Sequence, residues 1–213
     1  YQSDGTTPDG TGYTLNISTN GGVGTTTTSN GSGVFSFADF NEPTAGDVVT
    51  IWLDSSEASL VLKYGSSCTG NPNCTGLSLV QGQVRLQSFN GTSFTNDDLD
   101  SCDNDDGGFG CNTTSIGFNS DGTNLTVDTD RTLVIASGTT FAPGGSSNVS
   151  TGGLSILGTY TASSGILTIG GNFTNAGTFT AGSGTVVFND ANQTSQILGS
   201  TAFYTLSSTT QDK

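Results

Sequence analysis

The residues with the densest chemistry lie between Asn96 and Asp106. There Asp97, Asp98, Asp100, Asp103, Asp105 and Asp106 stand together with Asn96 and Asn104, followed by a Gly107-Gly108 turn. Calcium takes about six to eight hard oxygen ligands, and an acidic loop ending in glycine supplies that kind of ligand. Carboxylates this close also repel one another unless a cation separates them. Asp103-X-Asp105 and the glycine turn echo part of an EF-hand loop, but the distal bidentate Glu is missing, so an EF-hand is excluded. A calcium loop and a solvated acidic linker both fit the segment, and calcium is the one cofactor the sequence suggests.

A second acidic set, Asp121, Asp128 and Asp130, lies near Arg131. Clustered carboxylates with calcium or a basic residue are the equipment of β-helical polysaccharide lyases and hydrolases. The chain is poorly provided for such work. It has no His, and Arg85 and Arg131 are its only arginines, so a developing negative charge has little to stabilise it. The coils also number too few for a long sugar groove. A lyase or hydrolase is therefore the least favoured function, and the expectation is a protein that is not an enzyme. No phosphate-binding glycine loop, nucleophile–base pair or His metal set is present.

The cysteines form two close pairs, Cys68 with Cys74 and Cys102 with Cys111. Several connectivities are open, and local pairing is preferred because each pair brackets a turn-rich loop, CTGNPNC or CDNDDGGFGC. Zinc is the rival, with neither the spacing nor a His to support it. Disulfides imply an oxidising compartment. Asn16, Asn30, Asn73, Asn90, Asn112, Asn124, Asn148, Asn172 and Asn192 each open an Asn-X-Ser/Thr triplet, as N-glycosylation requires, although a chain this rich in Asn, Ser and Thr forms such triplets by chance. No signal peptide or membrane span stands in the sequence, so it reads as mature or as a piece of something longer.

Charge narrows the partners. Lys and Arg total 4 against 18 Asp and Glu, a formal net charge of -14, so a phosphate backbone or an anionic membrane face would be repelled. Nucleic acid and membrane insertion are excluded from the expected partners. Strong acidity suits a secreted protein or a cation binder.

The elements that carry these residues read as strands. The apolar fraction is 31%, and the 32 glycines are joined by abundant Ser, Thr and Asn, which suits a thin core of strands and turns. No window shows the apolar spacing of an amphipathic helix. In residues 1–90 the expected strands are Tyr13–Ser18, Val34–Phe37, Val48–Asp54, Ser59–Tyr64 and Leu77–Gln87, with turns at Asp9-Gly10, Asn20-Gly21-Gly22, Asn30-Gly31 and Glu42-Pro43. Val49, Ile51 and Leu53 share one face of the third, and Val48 and Trp52 the other, as in a central strand. This spacing suggests an Ig-like β-sandwich. Phe35, Phe37, Phe40, Trp52 and Tyr64 fit its core better than a sugar-binding face. Residues 91–120 read as an acidic, Cys-containing linker. From Asn124 strands return: Leu125–Val127, Thr132–Ala136, Leu154–Leu157, Thr159–Thr161, Ile166–Ile169, Asn172–Thr174, Thr178–Thr180, Val186–Phe188, Gln196–Leu198 and Phe203–Leu206. Short strands at coil-length spacing are the signature of a β-helix, with Phe173, Phe179, Phe188, Phe203 and Tyr204 expected to stack inside it.

Two resemblances accompany this reading. The opening SDGTTPDGTGYTLNI and the later GSGVFSF resemble the turns and strands of carboxypeptidase-regulatory-like, transthyretin-like sandwiches. In that family a full first strand precedes the Asp-Gly turn, whereas only Tyr1-Gln2-Ser3 precede it here, which implies a strand removed or supplied by a neighbour. The run from Gly171 to Leu206 is similar to a G-N-F-T-N-x-G-T-F-T-x-G-x-G-T-V-x-F repeat of large bacterial surface proteins, with a Gln-rich turn and F-Y-x-L after it. That resemblance implies a stalk or adhesin.

The expected fold is all-β: an Ig-like β-sandwich lacking a full first strand (1–90), the linker (91–120) and a short right-handed β-helix, or β-solenoid (121–213). The expected function is structural: a subunit or repeat of an extracellular filament, stalk or surface layer at the cell surface. Its partners would be copies of itself, joined head to tail by β-strand addition or by stacking of coil ends, with Phe203, Tyr204, Thr205 and Leu206 as the assembly edge. A glycan- or cell-binding adhesin module is the alternative, with surface glycans as partners.

Overall fold

Short β-branched and aromatic runs broken by Gly, Asn and Ser fold into strands of two to six residues, and a computed structural model of the chain is 43% strand and 4% helix. It describes residues 12–37, 40, 43–54, 58–65, 76–89, 93–103, 111, 113–190 and 195–209. The strands are β1 (Thr14–Thr19), β2 (Thr25–Thr28), β3 (Val48–Leu53), β4 (Ala58–Lys63), β5 (Gln83–Ser88) and β6 (Ser93–Phe94), followed by a single helical turn α1 (Asn96–Leu99) and a 3-10 turn (Thr114–Ile116). Then come β7 (Phe118–Ser120), β8 (Leu125–Val127), β9 (Thr132–Ile135), β10 (Thr140–Phe141), β11 (Val149–Thr151), β12 (Gly153–Ile156) and β13 (Thr159–Thr161). The last are β14 (Ile166–Ile169), β15 (Phe173–Asn175), β16 (Thr178–Thr180), β17 (Thr185–Phe188), β18 (Ile197–Leu198) and β19 (Thr205–Ser208).

These strands wind into a β-solenoid of about six turns. Three parallel sheets form its sides. The first holds β5, β9, β12, β15 and β18; the second β6, β10, β13 and β16; the third β8, β11, β14, β17 and β19. Thr140 pairs with Thr159 and Thr159 with Thr178, so a coil there repeats every 19 residues. Because side chains alternate along a strand, register stacks like positions into inward ladders. Phe94, Phe141, Tyr160 and Phe179 form one, Val84, Leu133, Leu154 and Phe173 a second, and Leu125, Val149, Leu167 and Val186 a third. The rings contact one another, Tyr160 edge-on to Phe141 at 5.4 Å and stacked on Phe179 at 5.7 Å. Coils approach most closely at glycines: a Cβ on Gly184 would lie 2.0 Å from the Gly165 carbonyl oxygen.

The N-terminal strands do not show the sandwich expected for residues 1–90. β4 pairs with β5 in parallel, β3 with β4 and β1 with β3 antiparallel, and β2 closes the edge, so these strands prolong the solenoid's first sheet into one sheet of nine. β3 has two apolar faces, as its sequence suggested, but their partners differ from those of a sandwich strand. Val48 and Trp52 pack on the solenoid core, while Val49 and Ile51 join Leu15, Ile17, Leu60 and Leu62 under Phe35, Phe37 and Phe40. Those phenylalanines come from irregular chain, including the expected strand Val34–Phe37, and no second sheet covers that face among the described residues.

The acidic segment 91–120 also contributes to the interior. Phe94, Leu99, Cys102, Cys111, Ile116 and Phe118 are all buried in the solenoid core cluster. Thr95 caps α1: its hydroxyl accepts from the Asp98 N–H, and the Asp98 carboxylate accepts from the Thr95 N–H at 2.8 Å.

A candidate assembly surface at the last coil

The last coil among the described residues carries β18, stacked on β15, and β19, stacked on β17; β16 ends its own sheet one coil earlier. Asn172 and Asn175 hold this coil in place. The Asn172 carbonyl oxygen of the side chain accepts from the Gln196 N–H at 3.0 Å, and the Asn175 amide donates to the Thr201 hydroxyl at 2.9 Å. Register carries the inward ladders into it, with Ile197 following Phe173 and Leu206 following Val186. Phe173 and Val186 are 0% and 4% exposed, whereas Ile197 and Leu206 are 44% and 50% exposed. Inward apolar positions are therefore uncovered on this end, and the strands beside them carry no Lys or Pro to blunt pairing.

Of the four expected edge residues, Thr205 and Leu206 lie in β19 as the sequence suggested. Phe203 turns inward: its ring is 5.5 Å from both Phe173 and Phe179, and it packs against the core. Tyr204 is not stacked inside but 70% exposed, beside a shallow groove lined by Tyr160, Leu167, Phe179 and Gly184. Neither residue's direction is readable from an alternation that the bend before β19 interrupts.

The described carboxylates of the acidic run have different partners. Asp98 is ion-paired with Lys63 at 2.7 Å. Asp103 is fully buried and its carboxylate accepts from the Ser120 N–H. Asp97 and Asp100 both approach Gly122. Asp105 and Asp106 lie outside the described residues, and among the described residues no three His, Cys, Asp or Glu side chains converge as metal ligands.

The second acidic set has structural partners. The Arg131 guanidinium is buried beneath Gly117 and donates to the carbonyls of Ser115 and Ile116 at 3.2 and 3.4 Å, at the end of the 3-10 turn. Its Nε lies 3.6 Å from Asp128. Burial raises the Asp128 carboxyl above its ordinary range, with Arg131 opposing and Asp130 adding to the rise. Asp121 closes a turn, accepting from the Asn124 side-chain amide and from the Asn124 and Thr123 N–H groups, which lowers its pKa.

Cys102 and Cys111 form a disulfide with Cα atoms 5.3 Å apart. Cys68 and Cys74 lie outside the described residues, as do Asn73, Asn90, Asn112 and Asn192. Asn16 is half-buried within β1, and Asn30 closes a turn by accepting from the Ser32 and Val34 N–H groups. Asn124 and Asn148 bridge successive coils, the Asn148 amide donating to the Asn124 side-chain oxygen at 2.8 Å. Asn172 is exposed. No helix among the described residues is long and apolar enough to cross a membrane. No protein-family model matches the chain, and neither a curated protein nor a solved structure matches it.

Proposed function

We propose that this chain is a structural, non-catalytic subunit or repeat of an extracellular filament, stalk or surface layer, and that it joins its neighbours through the last coil of the solenoid. The observation that carries the reading is the half-exposed state of Ile197 and Leu206 at positions whose register partners are buried. The apolar positions and the strand edges of β18 and β19 gain by being covered, whether by further coils of the same chain or by a neighbouring copy, because burial removes apolar area from water and pairs backbone groups. The neighbour either adds a strand along an open edge or stacks a coil of its own on this end.

Extracellular placement rests on the disulfide and on the acidic, polar surface. A second reading, a glycan-binding adhesin module, draws on Tyr204, an exposed ring next to a groove. Light scattering and negative-stain electron microscopy of the full chain over a range of concentrations distinguish the two. Ordered association is expected. A chain that stays monomeric at every concentration and is retained on immobilised polysaccharide would replace the structural reading with the adhesin.

A further inference from the structure

We infer that the N-terminal strands and the acidic segment together form a cap that closes the solenoid at its first coil, so that no strand of a neighbour pairs with that end. The inference goes beyond the structural reading above and holds whatever covers the last coil.

Backbone direction is the first argument. Along a strand the N–H and C=O groups of successive residues point to opposite sides, so a strand paired on one side presents every second residue's groups to the other. In β6 the Phe94 carbonyl accepts from the Ala142 N–H at 2.8 Å, on the β10 side, which turns the Ser93 carbonyl and the Thr95 N–H outward. Side chains occupy both. Lys63 Nζ donates to the Ser93 carbonyl at 2.8 Å, and the Asp98 carboxylate accepts from the Thr95 N–H at 2.8 Å. Lys63 and Asp98 are themselves paired at 2.7 Å. In β7 the Asp121 N–H donates to the Asn124 carbonyl at 3.1 Å, across the turn to β8, so the Ser120 N–H faces outward. The buried Asp103 carboxylate accepts from it. The first sheet is closed differently. β4 pairs with β5 along its whole length, and beyond β4 the sheet turns antiparallel.

Burial is the second argument. Val48, Trp52, Leu99, Cys102 and Ile116 come from the N-terminal strands and the acidic segment, belong to the solenoid core cluster, and are no more than 4% exposed. The Cys102–Cys111 bridge fixes the stretch that carries Asp103. A strand approaching β6 or β7 would have to displace a charged group from each outward backbone partner and leave that charge without it. Asp98 and Asp103, which stand in the sequence like cation ligands, thus serve strand edges.

Sedimentation velocity of the full chain, with Lys63→Ala, Asp103→Ala and Asp130→Ala at matched concentrations, tests this. Lys63→Ala frees the Ser93 carbonyl and Asp103→Ala the Ser120 N–H, so both should form larger species than the parent chain, Lys63→Ala despite its greater negative charge. Asp130 is exposed, and Asp130→Ala controls for the lost carboxylate and should match the parent. At a dilution where Asp103→Ala is a monomer, nuclear magnetic resonance should show its Ser120 amide exchanging about tenfold faster than in the parent. Circular dichroism checks that each variant is folded; if Asp103→Ala is not, Lys63→Ala decides. Folded Lys63→Ala and Asp103→Ala chains no larger than the parent at any concentration would overturn the cap, as would equal growth of Asp130→Ala. Association of the parent itself, or its lack, bears on the structural reading alone.

Discussion

Leu206 and Val186 occupy the same inward position on successive coils, paired in register between β19 and β17, yet Val186 is 4% exposed and Leu206 50%. Among the described residues a further coil lies over Val186 and none lies over Leu206. In a solenoid each coil is covered by its two neighbours, so the terminal one keeps an open face unless something caps it.

Substitutions along one ladder should reveal that open face. Phe173→Ala removes a fully buried ring and should destabilise the fold by about 3–5 kcal/mol. Ile197→Ala, the next inward position, should lower stability by less than about 1 kcal/mol in dilute solution, because its side chain is already half in water. Urea midpoints with unchanged m-values give the comparison. Equal losses at both sites would show that the last coil is covered in the free chain.

Coil spacing depends on glycine at specific corners. Gly184→Ala sets a Cβ 2.0 Å from the Gly165 carbonyl oxygen, a backbone atom with no rotamer to move. The coils must part there, at a cost of about 1–3 kcal/mol. Gly170→Ala meets nothing closer than 3.6 Å and should be tolerated. Thermal melts of the two variants should separate clearly.

The buried disulfide should contribute measurably. Cys102 and Cys111 are 1% and 0% exposed and 9 residues apart in sequence. Replacing both with Ser should cost about 2–3 kcal/mol and lower Tm by about 5–10 °C. Reduction of the native protein should be slow until the chain opens, since neither sulfur is accessible to a thiol.

Acid should weaken the N-terminal strands in part through Asp47. The side-chain amide of Asn20, at 2.8 Å, and then the Thr44 backbone N–H hold this carboxylate ionised, and its pKa lies below the ordinary 3.8, with slight desolvation opposing. A depressed folded pKa means the contribution is complete above the unfolded pKa and is lost as pH falls through the folded value. Asp47→Asn should therefore reduce stability near neutral pH slightly and flatten the loss below about pH 4. Urea midpoints of both proteins across that range supply the test; parallel curves would contradict it. The effect is small because the group is largely solvated.

Much of the solenoid is legible in the sequence. β8, β13, β14 and β16 begin and end where the apolar alternation places them, because turns rich in Gly, Ser, Asn or Asp bracket each run. Shorter strands escaped: β6 and β10 have two residues each, and the four threonines of β2 carry no apolar signal. The N-terminal unit shows where pattern alone stops. Two apolar faces on β3 require two covering surfaces, and periodicity does not say whether these are sheets, loops or the end of a solenoid. Asp98 and Asp103 looked alike in an acidic run. Lys63 and Ser120, each distant in sequence, give them different roles that spacing cannot reveal. The open last coil is of the same kind: exposure of Leu206 depends on what lies above it rather than on its own neighbours in the chain.

Hydrogen exchange followed by mass spectrometry, at low and high protein concentration, tests the central claim most directly. Association through the last coil predicts slower exchange at high concentration confined to peptides covering β18 and β19, with those covering β1 and β2 unchanged. Exchange that is the same at both concentrations, or protection gained at β1 and β2 alone, would contradict it.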